Sequence, residues 1–108
     1  VETDPVAVSA AEQNIALNAL SHVITVQHGS LPLTHARQFD VVVANIIARV
    51  IAELASPLAA ALKPGGVLVA SGIIAEREQM AADALREAGL QPARRDVDGD
   101  WLALTLTR

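Results

Sequence analysis

In Phe39-Asp40-Val41-Val42-Val43-Ala44-Asn45-Ile46-Ile47-Ala48 an apolar, β-branched run stops abruptly at an asparagine, and a helical pattern starts behind it. A run of this kind, without polar alternation, predicts a strand buried on both faces, as in a parallel sheet. Ligands of open parallel sheets bind just beyond the carboxyl ends of the strands. Asn45 stands at such an end.

Downstream, Ile47, Val50, Ile51, Leu54, Leu58 and Leu62 mark a helix that Pro64-Gly65-Gly66 stops. Val67 to Gly72 predicts a second fully buried strand, and Glu76 to Ala88 a helix with Met80, Ala84, Leu85 and Ala88 on one face. Gly89 is its expected C′ residue. Residues 92 to 97 and 100 to 107 flank Asp98-Gly99, a strong hairpin signal. Trp101, Ala103 and Leu104 to Thr107 mix apolar and Thr positions, as an outer antiparallel strand does.

Upstream, Asp4 reads as an N-cap and Pro5 as the first residue of a helix over 5 to 19. Its apolar stripe is Val8, Ala11, Ile15 and Leu17 to Leu20. Val23 to Val26 predicts a short strand closed by Gly29-Ser30, and residues 30 to 38 a polar loop. Helices alternating with buried strands define an α/β doubly wound sheet, finished here by an antiparallel hairpin.

With 108 residues, the chain is one domain at most; 52% hydrophobic and 19% charged residues exclude disorder. A net charge of −4 argues against a nucleic-acid surface. The absence of cysteine excludes a disulfide framework and a thiolate metal site, and fits a cytosolic protein. Residues 41 to 62 are interrupted by Asn45, Arg49, Glu53 and Pro57, a poor membrane span. No charged segment followed by an apolar one opens the chain, so no signal peptide is expected. The first residue is Val, from which further sequence upstream is expected.

Several residues admit a structural and a chemical reading. Glu2 is either a surface acid or the two-acceptor fork that holds the hydroxyls of a cofactor ribose. Asn45 is either the cap of the following helix or a group whose carbonyl, with neighbouring backbone carbonyls, accepts hydrogen bonds from an amine. Pro64-Gly65-Gly66 reads as a structural turn, and Ser71-Gly72 as a strand end or a pocket lining. His22, His28 and His35 have neither metal-ligand spacing nor a nucleophile partner and are expected to be exposed and chemically idle. Arg94-Arg95 with Asp96 reads as a solvated strand. No Ser-His-Asp set, P-loop or paired-carboxylate site is visible.

Taken together, Glu2-Thr3-Asp4-Pro5-Val6-Ala7-Val8, Asn14, Asn18, Phe39 to Ala48, Leu62 to Gly66, Ser71-Gly72-Ile73-Ile74 and Gly99 to Leu104 resemble one family. The chain is similar to the carboxyl-terminal part of the bacterial ribosomal protein L11 methyltransferases. Pro-Gly-Gly is common to many methyltransferases; the Asp-Pro opening followed by the Ala-Asn-Ile and Ser-Gly-Ile segments is far more specific.

The resemblance implies a Rossmann-like class I methyltransferase sheet, mostly parallel, with the closing antiparallel hairpin characteristic of these enzymes. It implies a cytoplasmic enzyme that moves methyl groups from S-adenosyl-L-methionine to amino groups of a ribosomal protein, with no direct nucleic-acid or membrane partner. It places Glu2 on the ribose, where Asp is usual, Ser30 beside the adenine, and Asn45 at the cofactor and acceptor site; no metal is implied. Ile47 replaces the usual Leu, and no aromatic residue follows Asn45, so the substrate nitrogen would be held by carbonyls.

The family's first strand and glycine-rich loop, and a separate recognition domain, are expected upstream of Val1. Without that central strand, residues 40 to 108 are expected to hold together as a sub-sheet and residues 1 to 30 to dock weakly or differently. Other readings are a non-catalytic remnant of the fold and a small-molecule or RNA methyltransferase. A nicotinamide oxidoreductase is disfavoured by the closing hairpin.

Overall fold

A computed structural model describes residues 1–33 and 38–108, and the chain divides into two compact units, Val1–Leu33 and Thr34–Arg108. His35 lies outside the described residues.

In the first unit, helix α1 spans Pro5–Leu17. Asp4 caps it as expected: its Oδ1 accepts the Val6 N–H at 2.9 Å, and Pro5 needs no partner at the first helical position. Val8, Ala11 and Ile15 form the half-buried line, whereas Leu17 is 84% exposed and lies off it. The helix ends two residues before the predicted limit. Ala19 donates to Ala16 O at 3.0 Å and Leu20 to Ile15 O at 3.0 Å, the paired bonds of a Schellman motif. Ala19 takes the left-handed conformation (φ 55°) that this motif requires, at a steric cost of about 1–2 kcal/mol.

The strand expected over Val23 to Val26 does not form. One parallel bridge joins Glu2 to His28: Glu2 N–H donates to Gln27 O at 2.9 Å, and Gly29 N–H to Glu2 O at 2.8 Å. A strand exists only as part of a ladder. Among the described residues of this unit only Glu2 offers a rung, so Val23 and Ile24 remain exposed.

The second unit runs β1 (Phe39–Asn45), α2 (Ala48–Glu53), α3 (Ala55–Ala60), β2 (Leu62–Ile74), a short 3-10 turn (Ala75–Arg77), α4 (Glu78–Glu87), β3 (Gln91–Asp98) and β4 (Trp101–Thr107). The strand order is β1-β2-β4-β3; β1 pairs with β2 in parallel, and the other two pairs are antiparallel. The α/β class and the closing antiparallel hairpin are as expected; among the described residues the four-stranded sheet has one parallel pair and two antiparallel ones.

The single helix predicted from Ile47 to Leu62 is two. Pro57 has no N–H to donate to the carbonyl four residues before it, so the run turns at Leu54 and restarts. At the far end, Gly89 (φ 94°) closes α4 as the C′ residue, with Leu90 donating to Leu85 O at 3.1 Å. The hairpin turns through Gly99-Asp100, one residue later than predicted, since Asp98 still pairs with Trp101. Gly99 (φ 59°) supplies the positive φ that two-residue hairpin loops demand.

Ala44, Leu68, Ala70, Leu102, Leu104 and Leu106 are buried on one face of the sheet, with Ile51, Leu58 and Leu85 from the three helices. The helices gather on this side, α4 packing against both α2 and α3. Val41 and Val43 point the other way and are 58% and 67% exposed, so burial on both faces does not hold for β1. β1 also pairs on one edge only among the described residues.

Pro64-Gly65-Gly66 does not stop the helix, which already ends at Ala60; it lies inside β2, as the bend at which the register with β1 shifts. A Cβ on Gly66 would lie 2.8 Å from Lys63 O and 3.1 Å from Phe39 O. Arg108 clasps the bend by donating to Gly66 O at 2.9 Å and accepting from Gly65 N–H at 3.0 Å. Arg95 is more than a solvated residue. Its guanidinium grips both carboxylate oxygens of Glu78, with Nη2–Oε2 at 2.9 Å, and so ties β3 to α4.

Backbone amides of 67–70 and 102–106 will exchange with solvent more slowly than those of 23–26, because only the former sit in ladders; equal protection in a hydrogen-exchange experiment would refute two units of unequal strength. The hydrogen bond from Arg95 holds the Glu78 carboxyl below its usual range. A depressed carboxylate stabilises the fold above its unfolded pKa and loses that contribution as pH falls through the folded value. Arg95→Ala is therefore expected to lower stability at pH 7. The gap to the parent chain should narrow below about pH 4.3, as followed by denaturant titration across pH.

Candidate functional site

The carboxyl ends of the two parallel strands lie side by side, with Asn45 in register with Ser71. The Ile46 N–H continues the ladder by donating to Ser71 O at 3.3 Å. Here β2 carries a bulge: between Ala70 and Ile73 it has one residue more than β4 has between Leu104 and Leu102. Bulges of this kind re-aim the chain beside functional sites. Gly72, within the bulge, has φ 77°.

Helix capping does not account for Asn45. The N-cap of α2 is Ile47, two residues further on, and it makes no side-chain cap hydrogen bond. The Asn45 side chain is exposed and has no hydrogen-bond partner among the described residues. Among the described residues this amide is therefore open to solvent at the carboxyl end of a parallel strand, where ligands of such sheets bind.

In the first unit, Glu2 is exposed and bends back, with Oε1 accepting the Asp4 N–H at 3.0 Å. Oε2 has no partner among the described residues and remains an open acceptor. The Glu2–His28 bridge brings the stretch holding Ser30 next to Glu2, so the two residues expected at a nucleoside share one neighbourhood. His28 is exposed, as expected, and makes a structural contact: its Nε2 is 2.9 Å from Thr3 O, next to Glu2. That contact was not legible in the sequence, since only the bridge puts residues 3 and 28 together. Glu2 and Ser30 lie in one unit and Asn45 in the other.

A groove of about 300 Å³ between α4 and the hairpin is lined by Glu78, Arg86, Arg95 and Leu104 among others. None of Asn45, Ser71 or Gly72 contributes to it. Among the described residues, no three His, Asp or Glu side chains gather as a metal site, and no helix is long and apolar enough to cross a membrane.

This architecture is that of the S-adenosylmethionine-dependent methyltransferases of class I. A TehB-like enzyme of that kind from Corynebacterium glutamicum superposes with TM-score 0.73 over 98% of this chain and 65% of its own, at 16% identity, a likeness of fold alone. The chain belongs to the ribosomal protein L11 methyltransferase (PrmA) family, whose model matches residues 1–108. It is similar to the ribosomal protein L11 methyltransferase of Listeria monocytogenes serotype 4b, 42% identical over 99% of this chain and 34% of that protein. A crystal structure of ribosomal protein L11 methylase from Lactobacillus delbrueckii subsp. bulgaricus superposes with TM-score 0.90 at 31% identity, over 98% of this chain and 55% of that one. The chain thus spans about a third of the length of the curated relative.

Asp4→Ala is expected to remove the α1 cap and cost about 1 kcal/mol, read as lost helicity on thermal melting. It should leave nucleoside binding in a complete enzyme untouched, which separates the cap from the ligand role assigned to its neighbour Glu2.

Proposed function

We propose that residues 1–108 are the carboxyl-terminal part of a cytoplasmic, S-adenosyl-L-methionine-dependent N-methyltransferase domain that modifies amino groups of ribosomal protein L11. The observation that carries this reading is Asn45: it ends β1, does not cap α2 and has no side-chain hydrogen bond among the described residues, in a chain of the L11 methyltransferase family. The residues present fit the cofactor. The free oxygen of Glu2 and its bonded partner form a fork suited to the two ribose hydroxyls, and Ser30 would lie beside the adenine. When bound, the cofactor supplies an electrophilic methyl group.

The work of the chain is then orientation. A lysine amine is mostly protonated at neutral pH and must lose a proton before it becomes nucleophilic; water takes that proton. The Asn45 carbonyl accepts an N–H of the neutral amine and fixes the direction of its lone pair. Placing a nucleophile in line this way lowers the barrier chiefly through proximity and orientation.

The test is calorimetric titration of S-adenosylhomocysteine into this chain and into a chimera in which it replaces the matching third of the Listeria monocytogenes relative. Binding to the chimera supports the assignment; binding to neither favours a non-catalytic remnant. Within a binding chimera, Glu2→Ala should weaken affinity about 10–100-fold, the worth of hydrogen bonds to a charged group. Asn45→Ala should lower turnover on ribosomal protein L11 about 100-fold with little change in affinity. Unchanged turnover would refute the role of Asn45.

A further inference from the structure

Two oxygens converge on Gly72. A Cβ built there would lie 2.8 Å from Asn45 Oδ1 and 3.0 Å from Ile46 O, with Ile46 N at 3.3 Å. All three are closer than ordinary van der Waals contact, so a side chain at 72 would push the Asn45 amide aside and require Ile46 to give by a few tenths of an ångström. Among the described residues neither oxygen accepts a hydrogen bond. Ile46 O accepts no hydrogen bond among the described residues, because the first turn of α2 bonds back to Ile47 O instead. Asn45 Oδ1 is likewise unclaimed.

A neutral primary amine has two N–H donors and one lone pair. Two acceptors are the minimum that fixes where the lone pair points. Asn45 Oδ1 and Ile46 O, both beside the open side-chain position of Gly72, offer such a pair. Resting on the reading of Asn45 given above, we propose that Gly72 is a positioning residue: its missing side chain lets these two acceptors lie together at the carboxyl end of β1 and aim the substrate nitrogen.

Gly65 supplies the control. It lies in the same strand with nearly the same φ, 79° against 77° at Gly72, yet nothing lies within 4 Å of a Cβ built on it. Alanine at either site meets the same left-handed strain, but only at 72 does it meet the acceptors.

In the chimera, Gly72→Ala is expected to lower turnover at least tenfold, with S-adenosylhomocysteine affinity within twofold. Gly65→Ala should leave both within twofold. In an Asn45→Ala background, the added Gly72→Ala should cost less turnover than it does alone, because one of the two oxygens it displaces is gone. In the 108-residue chain, Gly72→Ala should shift the Asn45 side-chain amide resonances in a nitrogen-proton correlation spectrum, and Gly65→Ala should not.

Unmoved Asn45 resonances, or parental turnover in Gly72→Ala while Asn45→Ala is impaired, would overturn the proposal and leave the Asn45 reading standing. Full turnover in Asn45→Ala would instead defeat that reading and the positioning role with it. If Gly72→Ala fails to fold, recovery of folding by Asn45→Ala in the same chain shows that the contact with Asn45 was responsible. Failure of both shows that Gly72 serves the bulge alone.

Discussion

Val41 to Asn45 of β1 pair residue for residue with Val67 to Ser71 of β2, and the second unit is organised around that parallel register. It sets Ala44 beside Ala70 on the helix-covered face, both under 10% exposed, and Val43 beside Val69 on the other. A slip of one residue would turn every side chain of β1 to the opposite face. Asn45 would then leave Ser71, and the oxygens above Gly72 would lose their seat. The carboxyl-end geometry is thus a consequence of core packing at Leu68 and Ala70, neither of which touches any chemistry.

The helices show how far local rules reach. The same Schellman closure ends α1 and α4, with paired bonds at Ala19 and Leu20 in one and at Gly89 and Leu90 in the other. Glycine at 89 announces the second, because the left-handed position costs glycine nothing sterically. Alanine at 19 gives no such notice, and the apolar stripe reads on past the true end. Leu90 and Leu85 are both fully buried, so packing reinforces the stop in α4. Pro57 was visible in the sequence, but the split into two helices at Leu54, with Ile51 of one and Leu58 of the other both buried, was not.

The site was legible in part. Asp4-Pro5, the Ala-Asn-Ile segment and Ser-Gly-Ile are local strings, and they carried the family resemblance that the match over residues 1–108 bears out. The contact between His28 and Thr3 was not legible, because it joins positions far apart in sequence through a single bridge. Nor was the relation of Gly72 to Asn45, which needs both the register and the bulge.

What the sequence determined by itself was the kind of element at most positions, the cap at Asp4, the stop at Gly89 and the family. These depend on backbone sterics and on side chains close along the chain. The tertiary structure alone decided which face of β1 is covered, that Val23 to Val26 stays outside any ladder, and that Asn45 does not cap α2. Each of these turns on whether a partner strand or helix is present, and no run of apolar residues says where its partner lies.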